Sequence, residues 1–157
     1  MRYADASALL RLLFAEPGVR LPLDPGVNLV SSRVVEVEIF RAIERERLLG
    51  RLTDREAAVK RKEATEILAM LDLVALDDPV MERAKTPFGV NVRTLDALHV
   101  ATAEVLVAES GGEPLEFWTH DERQAVAALS RGLNVLGIEA GPGTEPPAAG
   151  PERAGST

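Results

Sequence analysis

The chain has 157 residues, which fits one domain with a sizeable core, and 46% of them are apolar although only 4% are aromatic. It contains no cysteine for a disulfide bond, and no run of about 18 apolar residues that would predict a membrane span. The formal net charge of −7 argues against a broad basic surface for nucleic acid. Because Asp5 precedes any apolar stretch of the signal-peptide kind, we expect a soluble, cytoplasmic protein.

Short apolar runs alternate with longer segments of helical period, which predicts an α/β protein with a mainly parallel sheet. In chain order we expect strands at about 2–4, 27–30, 73–76, 115–118 and 133–136. Helices are expected around 9–13, then at about 33–49, 53–71, 78–85 and 94–110, and from 121 onward. The folded unit is 1–140, and the Gly- and Pro-rich segment 141–157 is predicted to be a disordered tail.

Capping residues mark the predicted helix starts. Thr53 and Glu56 have the spacing of a capping box, and Asp121 with Gln124 has the same spacing. The other predicted caps are Ser32, Asp78 before Pro79, and Thr94. The last predicted long helix carries Leu95, Leu98, Ala101, Val105 and Leu106.

Acidic side chains stand at several of these helix starts. Asp5 and Asp121 follow predicted strands, and Asp96 lies just inside a predicted helix. Glu38 lies within its helix, at the border of an apolar stripe. Because the carboxyl ends of parallel strands share one edge of the sheet, these four carboxylates are candidates for one site.

Crowded carboxylates repel each other unless a cation lies between them. Oxygen ligands favour Mg²⁺ or Mn²⁺, and a chain with two histidines and no cysteine is poorly equipped for zinc. Such ions activate water and hold a phosphate, so the pattern predicts phosphodiester hydrolysis. We assign metal binding to Asp5, Asp96 and Asp121, with Glu38 completing the site or accepting a proton from water.

Each of these residues also has a purely structural interpretation. An aspartate at a helix start stabilises the helix without catalysis, although Asp5 is the least expected as a plain cap. Glu38 can pair with Arg41 on the helix surface. His99 lies among apolar residues and is expected to be packed, and His120 is expected to point away from Asp121; neither is assigned to catalysis.

Further residues are candidates for supporting roles. Ser7 and Thr119 each lie two residues from an aspartate and can orient a carboxylate, or can be simple turn residues. The candidate phosphate contacts are Arg41, Arg45 and Arg93, and exposed arginines also serve solubility alone.

Four segments together resemble the PIN-domain family, and VapC-type toxins in particular. They are 3–9, 32–42, 93–103 with its Thr-Leu-Asp-Ala-Leu-His run, and 119–122, in the family's order. The resemblance implies a three-layer α/β/α fold and places the family's acidic positions at Asp5, Glu38, Asp96 and Asp121, with supporting hydroxyls at Thr119 and Ser7.

The resemblance also implies an activity and partners. It implies a Mg²⁺- or Mn²⁺-dependent endoribonuclease, a homodimer, and a cognate VapB-like antitoxin whose C-terminal segment lies across the site. One departure is that 19–29, with Pro22 and Pro25, replaces a helix that the family usually has. This departure concerns the surface for the antitoxin rather than the acidic site.

Two other functions remain open at this stage. A phosphotransferase that forms an aspartyl-phosphate on Asp5 would also need a nearby lysine, and Lys60, Lys62 and Lys85 are the lysines of the chain. A PIN-like module could also bind RNA or an antitoxin without catalysis.

Overall fold

The computed structural model describes residues 1–138, and within this range a parallel sheet of five strands lies between helices. The strands are β1 (Arg2–Ala4), β2 (Leu29–Ser32), β3 (Asp72–Val74), β4 (Glu116–Trp118) and β5 (Asn134–Leu136), in the order β3-β2-β1-β4-β5. The helices are α1 (Ala6–Leu13), α2 (Val34–Leu48), α3 (Asp54–Leu68), α4 (Asp78–Ala84), α5 (Thr94–Glu109) and α6 (Glu122–Ser130). The predicted fold class is confirmed, whereas the predicted tail and the boundary at 140 lie outside the described residues.

Two hydrophobic cores cover the two faces of the sheet. Neighbouring residues of a strand point to opposite faces, so Ala4 and Trp118 pack with α1, α2 and α3, whereas Tyr3 and Phe117 pack with α5 and α6. Helix α4 lies against α5 on this second side. The result is the three-layer α/β/α arrangement that the resemblance implied.

Several predicted boundaries are corrected by the strand pairing. Ser32 is the last residue of β2, where it lies in register with Val74, and Arg33 rather than Ser32 is the N-cap residue of α2. The Ser32 hydroxyl nevertheless accepts a hydrogen bond from the backbone N–H of Val34, the first residue of α2, at 3.4 Å. Strand β2 begins at Leu29, helix α3 ends at Leu68, and β3 ends at Val74, each differing by a few residues from the prediction. The physical reason is that hydrogen bonding across the sheet, which sequence periodicity does not record, decides where a strand ends.

Two predicted caps are shifted by one residue. Asp77, rather than Asp78, caps α4, because its carboxylate accepts a hydrogen bond from the backbone N–H of Val80 at 3.2 Å. Arg93 is the N-cap residue of α5, so Thr94 is the first helical residue and Asp96 the third. On α5, Leu95 is 42% exposed, and the buried face consists of Ala97, His99, Val100, Ala101, Thr102 and Ala103.

The segment between α1 and β2 has no helix, as the prolines predicted. Residues 14–28 are all described and form turns and extended chain. Separately, none of the helices within 1–138 has the length and apolar character needed to cross a membrane.

Candidate functional site

The site lies at the end of the central strand β1, where the chain switches from adding strands on one side of β1 to adding them on the other. Strand β1 is the middle strand, with β2 on one side and β4 on the other. The helix after β1 packs against one face of the sheet and the helix after β4 against the opposite face. In open α/β sheets a crevice forms at this point, outside the carboxyl ends of the strands.

The crevice is a cleft of about 390 Å³, and all four predicted carboxylates line it. Asp5 comes from the end of β1, Glu38 from α2, Asp96 from the first turn of α5, and Asp121 from the start of α6. The other lining residues are Ala6, Ser7, Leu10, Arg45, Arg93, Thr94, Leu95 and Gln124. The tertiary structure therefore brings together residues that are up to 116 positions apart, since Asp5 and Asp121 share the cleft.

Asp5 lies at the bottom of the cleft and is only 1% exposed. Its carboxylate caps α1 by accepting a hydrogen bond from the backbone N–H of Ala8 at 2.8 Å, so it is a structural cap as well as a candidate ligand. It also accepts hydrogen bonds from the hydroxyls of Ser7 at 2.8 Å and Thr119 at 2.6 Å. Burial raises the pKa of Asp5 above its usual value, and these hydrogen bonds act against that rise.

Thr119 joins two of the carboxylates. While its hydroxyl donates to Asp5, it also accepts a hydrogen bond from the backbone N–H of Asp121 at 3.0 Å. Asp121 in turn caps α6 by accepting from the backbone N–H groups of Arg123 and Gln124. The predicted capping box with Gln124 is wrong, because Thr119 and not Gln124 holds the N–H of Asp121. The Gln124 side-chain nitrogen is buried and has no hydrogen-bond partner within the part of the chain that the structure describes.

Asp96 carries a buried carboxylate oxygen that has no hydrogen-bond partner among residues 1–138. Burial raises the pKa of Asp96, and the neighbouring charge of Asp121 raises it further. An unpartnered buried carboxylate oxygen is costly unless something positive binds it. A cation bound to this oxygen would therefore be stabilising.

Glu38 has a different partner from the predicted one. Its Oε2 lies 2.7 Å from Nε2 of His99, 61 residues away, and no described ion pair joins it to Arg41. His99 is 1% exposed, so the expectation that it is packed is correct, yet it also contacts a site carboxylate. Sequence reasoning missed this contact, although His99 lies one helical turn after Asp96 and thus on the same side of α5.

The donor set fits a hard cation, although the side chains are not gathered around one point. Among residues 1–138, no three histidine, aspartate or glutamate side chains converge closely enough to hold a metal ion as they stand. The bare Asp96 oxygen and the pKa of Asp96, which the charge of Asp121 raises further, nevertheless indicate an oxygen-lined site with two carboxylates that repel each other. Such a site suits Mg²⁺ or Mn²⁺.

Basic residues lie at the rim of the cleft. Arg45 and Arg93 line it, and Arg41 lines an adjoining cavity of about 580 Å³ that also contains Glu38 and Arg45. Arg45 is well exposed, with 71% of its side chain accessible. The chain's three lysines, all of them described, do not line the cleft.

Comparisons with known proteins identify the family of the chain. The family model described as PIN domain matches residues 2–130. Among curated proteins, the chain is 34% identical to Ribonuclease VapC46 of Mycobacterium tuberculosis over 137 residues, which covers 85% of this chain and 95% of that protein. It is 31% identical to Ribonuclease VapC47 of the same species over 151 residues, covering 91% and 98%.

Two solved structures have a similar fold. One is VapBC2 from Rickettsia felis bound to a DNA fragment from its promoter, with a TM-score of 0.59 and 11% identity, covering 87% of this chain and 98% of that one. The other is a toxin–antitoxin complex from Klebsiella pneumoniae, with a TM-score of 0.59 and 15% identity, covering 87% and 96%. On the family match and on its identity to the VapC ribonucleases over most of its length, this chain belongs to the PIN-domain family.

Proposed function

We propose that this protein is a Mg²⁺- or Mn²⁺-dependent endoribonuclease and the toxin of a toxin–antitoxin pair. The observation that carries the proposal is that Asp5, Glu38, Asp96 and Asp121 line a single cleft at the switch point of the sheet. Identity to relatives named ribonucleases over most of the chain supports the same activity. A cytoplasmic location and a homodimeric state remain predictions.

Asp5, Asp96 and Asp121 are the residues that would hold the metal. A divalent cation bound there supplies a polarised water and stabilises charge on the scissile phosphate. Ser7 and Thr119 keep the Asp5 carboxylate oriented by hydrogen bonds to its oxygens. Glu38, which belongs to α2 and has a side chain that is 19% exposed, completes the site or accepts a proton from the attacking water.

The RNA backbone would reach the carboxylates past the basic rim. Arg45 and Arg93 line the cleft itself, whereas Arg41 lies in the adjoining cavity. Phosphate contacts from a few such arginines compensate locally for a net charge of −7. Because these arginines would contact phosphates and not bases, they do not determine which RNA sequence is cut.

The antitoxin would lie along the groove between α1 and α2. Two adjoining cavities lie there, and both are lined by Leu10, Ala42 and Arg45. The first also contains Leu48 and Leu49, and the second contains Phe14 and Leu52. Leu10 and Arg45 also line the acidic cleft. A peptide with an apolar segment in this groove would therefore extend directly over the carboxylates and block RNA.

The aspartyl-phosphate alternative has less support. That chemistry needs a lysine beside the aspartate, and none of the three lysines lines the cleft that contains Asp5. Lys60, one of the three lysines, donates to the carbonyl of Leu13 and to Glu63 and so is engaged elsewhere. The non-catalytic module differs from our proposal in one measurable property, which is cleavage itself.

The test is RNA cleavage by the purified chain with Mg²⁺ or Mn²⁺ and with a chelator. We expect cleavage in the presence of either ion, loss on chelation, and loss of at least about a hundredfold in Asp96→Asn, as for removal of a catalytic carboxylate. Glu109→Gln is the matched control, because Glu109 is an exposed carboxylate at the other end of the same helix, and it should retain full activity.

Three results would contradict the proposal in different ways. Metal binding by calorimetry without any cleavage would favour the non-catalytic module. A phosphate trapped covalently on Asp5 would favour the phosphotransferase. Full activity of Asp96→Asn would show that the cleft is not the catalytic site.

A further inference from the structure

A buried chain of hydrogen bonds connects the end of β2 with Glu38. The backbone N–H of Ser32 donates to the hydroxyl oxygen of Tyr3 at 3.1 Å. The Tyr3 hydroxyl lies 2.7 Å from Nδ1 of His99, and Nε2 of His99 lies 2.7 Å from Oε2 of Glu38. Tyr3 is 0% and His99 is 1% exposed, so water does not compete for these bonds.

The partners of His99 favour one tautomer, and with it one direction for each bond. Tyr3 has one hydroxyl proton, and its oxygen already accepts from Ser32, so that proton is available for Nδ1 of His99. A neutral imidazole whose Nδ1 accepts carries its proton on Nε2. Nε2 therefore donates to Glu38, which is an acceptor when ionised.

The second histidine provides an internal contrast. Nδ1 of His120 lies against the carbonyl oxygen of Gly137, which can only accept, so His120 must carry its proton on Nδ1. Its Nε2 is buried and, among the described residues, has no hydrogen-bond partner, which fits a nitrogen that carries no proton. The two histidines of this chain are therefore expected to have opposite tautomers.

We propose that His99 is a positioning residue that, held by Tyr3 in the Nε2–H tautomer, fixes the Glu38 carboxylate in the cleft. His99 does not face the cleft, and it acts through Glu38. The bond restricts the Glu38 side chain, because one of its two carboxylate oxygens is held against Nε2 of His99. The role rests on the proposed ribonuclease function, whereas the hydrogen-bond chain does not depend on it.

The first test concerns the tautomers and needs neither RNA nor metal. Long-range proton–nitrogen correlation spectra of the ¹⁵N-labelled protein at neutral pH should show His99 protonated on Nε2 and His120 on Nδ1. Tyr3→Phe keeps the ring that stacks on Phe117, with 5.1 Å between the ring centroids, but removes the hydroxyl. This variant should leave His99 as a mixture of tautomers. An Nδ1–H or doubly protonated His99 in the unmodified protein would overturn the proposal.

The second test separates positioning from folding. His99→Gln keeps an N–H donor close to the position of Nε2, whereas His99→Leu has none. We expect His99→Leu to lower kcat by about 10- to 100-fold with a smaller change in KM, as is typical when a residue that orients a ligand is removed. The kcat of His99→Gln should be about tenfold higher than that of His99→Leu. Val100→Ala, at a fully buried neighbour on α5, is the stability control.

The outcomes of the kinetic test are distinct. Val100→Ala should lower the melting temperature but keep kcat, which shows that destabilisation alone does not reduce the rate. Equal activity of His99→Leu and the unmodified protein, or equal losses in His99→Gln and His99→Leu, would refute the positioning role. If the unmodified protein cleaves no RNA while the tautomers are as expected, the proposed function fails and the hydrogen-bond chain stands.

Discussion

Thr119 and Asp5 are joined by a buried 2.6 Å hydrogen bond across 114 positions of the sequence. The bond links the segments that follow β4 and β1, which are neighbours in the sheet. Because the same hydroxyl oxygen also accepts from the backbone N–H of Asp121, one side chain sets the relative position of two candidate metal ligands. The first prediction concerns this residue.

Thr119→Val should reduce both stability and cleavage. Valine has nearly the same shape but leaves the N–H of Asp121 and an oxygen of Asp5 without this partner, which should cost about 1–3 kcal/mol in free energy of unfolding. Urea unfolding and RNA cleavage with Mn²⁺ measure the two effects. Thr119→Ser keeps the hydroxyl and should recover most of the activity; if it is as inactive as Thr119→Val, the hydrogen bond is not the reason.

Asp96→Asn should make the metal-free protein more stable at neutral pH. The pKa of Asp96 is raised in the folded state by burial and by Asp121, so its charged form is less stable there than in the unfolded chain. The folded state is therefore favoured by this group at acidic pH, and that contribution is lost as the pH rises through the raised pKa.

Thermal unfolding in the presence of chelator, followed from acidic to neutral pH, measures this difference. The melting temperature of Asp96→Asn should exceed that of the unmodified protein at neutral pH, and the excess should shrink as the pH falls toward the ordinary aspartate pKa. Mn²⁺ should reverse the order, because the ion binds the carboxylate and not the amide. An excess that is constant across the pH range would mean that the charge of Asp96 is not its cause.

Arg45→Ala should weaken RNA binding without affecting metal binding. Arg45 lies where the cleft meets the groove between α1 and α2, and most of its side chain is exposed. We expect KM for RNA to rise by roughly three- to tenfold and the salt dependence of binding to fall by roughly 0.7 in log–log slope, the value for one contact to a single strand. Arg55→Ala, at an exposed arginine on α3, is the control and should change neither quantity.

Glu104→Gln should lower stability while leaving cleavage intact. The Glu104 carboxylate, 8% exposed on α5, accepts hydrogen bonds from Arg83 and from Arg131, which follows α6. Replacing it with an amide weakens two charged hydrogen bonds and should cost about 1–3 kcal/mol in free energy of unfolding. Chemical denaturation measures the loss, and a parallel loss of kcat in the folded variant would show that this side of the protein is coupled to the cleft.

The sequence correctly predicted several features that depend on residues close together in the chain. The Thr53–Glu56 capping box forms as expected, and the prolines between α1 and β2 leave 14–28 without a helix. The acidic residues were recognisable because each stands at a helix start or on a helix border whose position follows from periodicity. Strand ends were wrong by a few residues, because pairing with a distant strand decides them, and three predicted caps lie one residue away from the N-cap residues of the structure.

The sequence by itself determined which residues are acidic, which helices they begin, and the α/β class with a parallel sheet. Only the tertiary structure decided that His99 and not Arg41 is the partner of Glu38, and that Thr119 and not Gln124 holds the N–H of Asp121. The reason is that helix and turn preferences act over a few residues, whereas these partners are chosen by the strand order, which places β4 beside β1 and α5 against the end of β2.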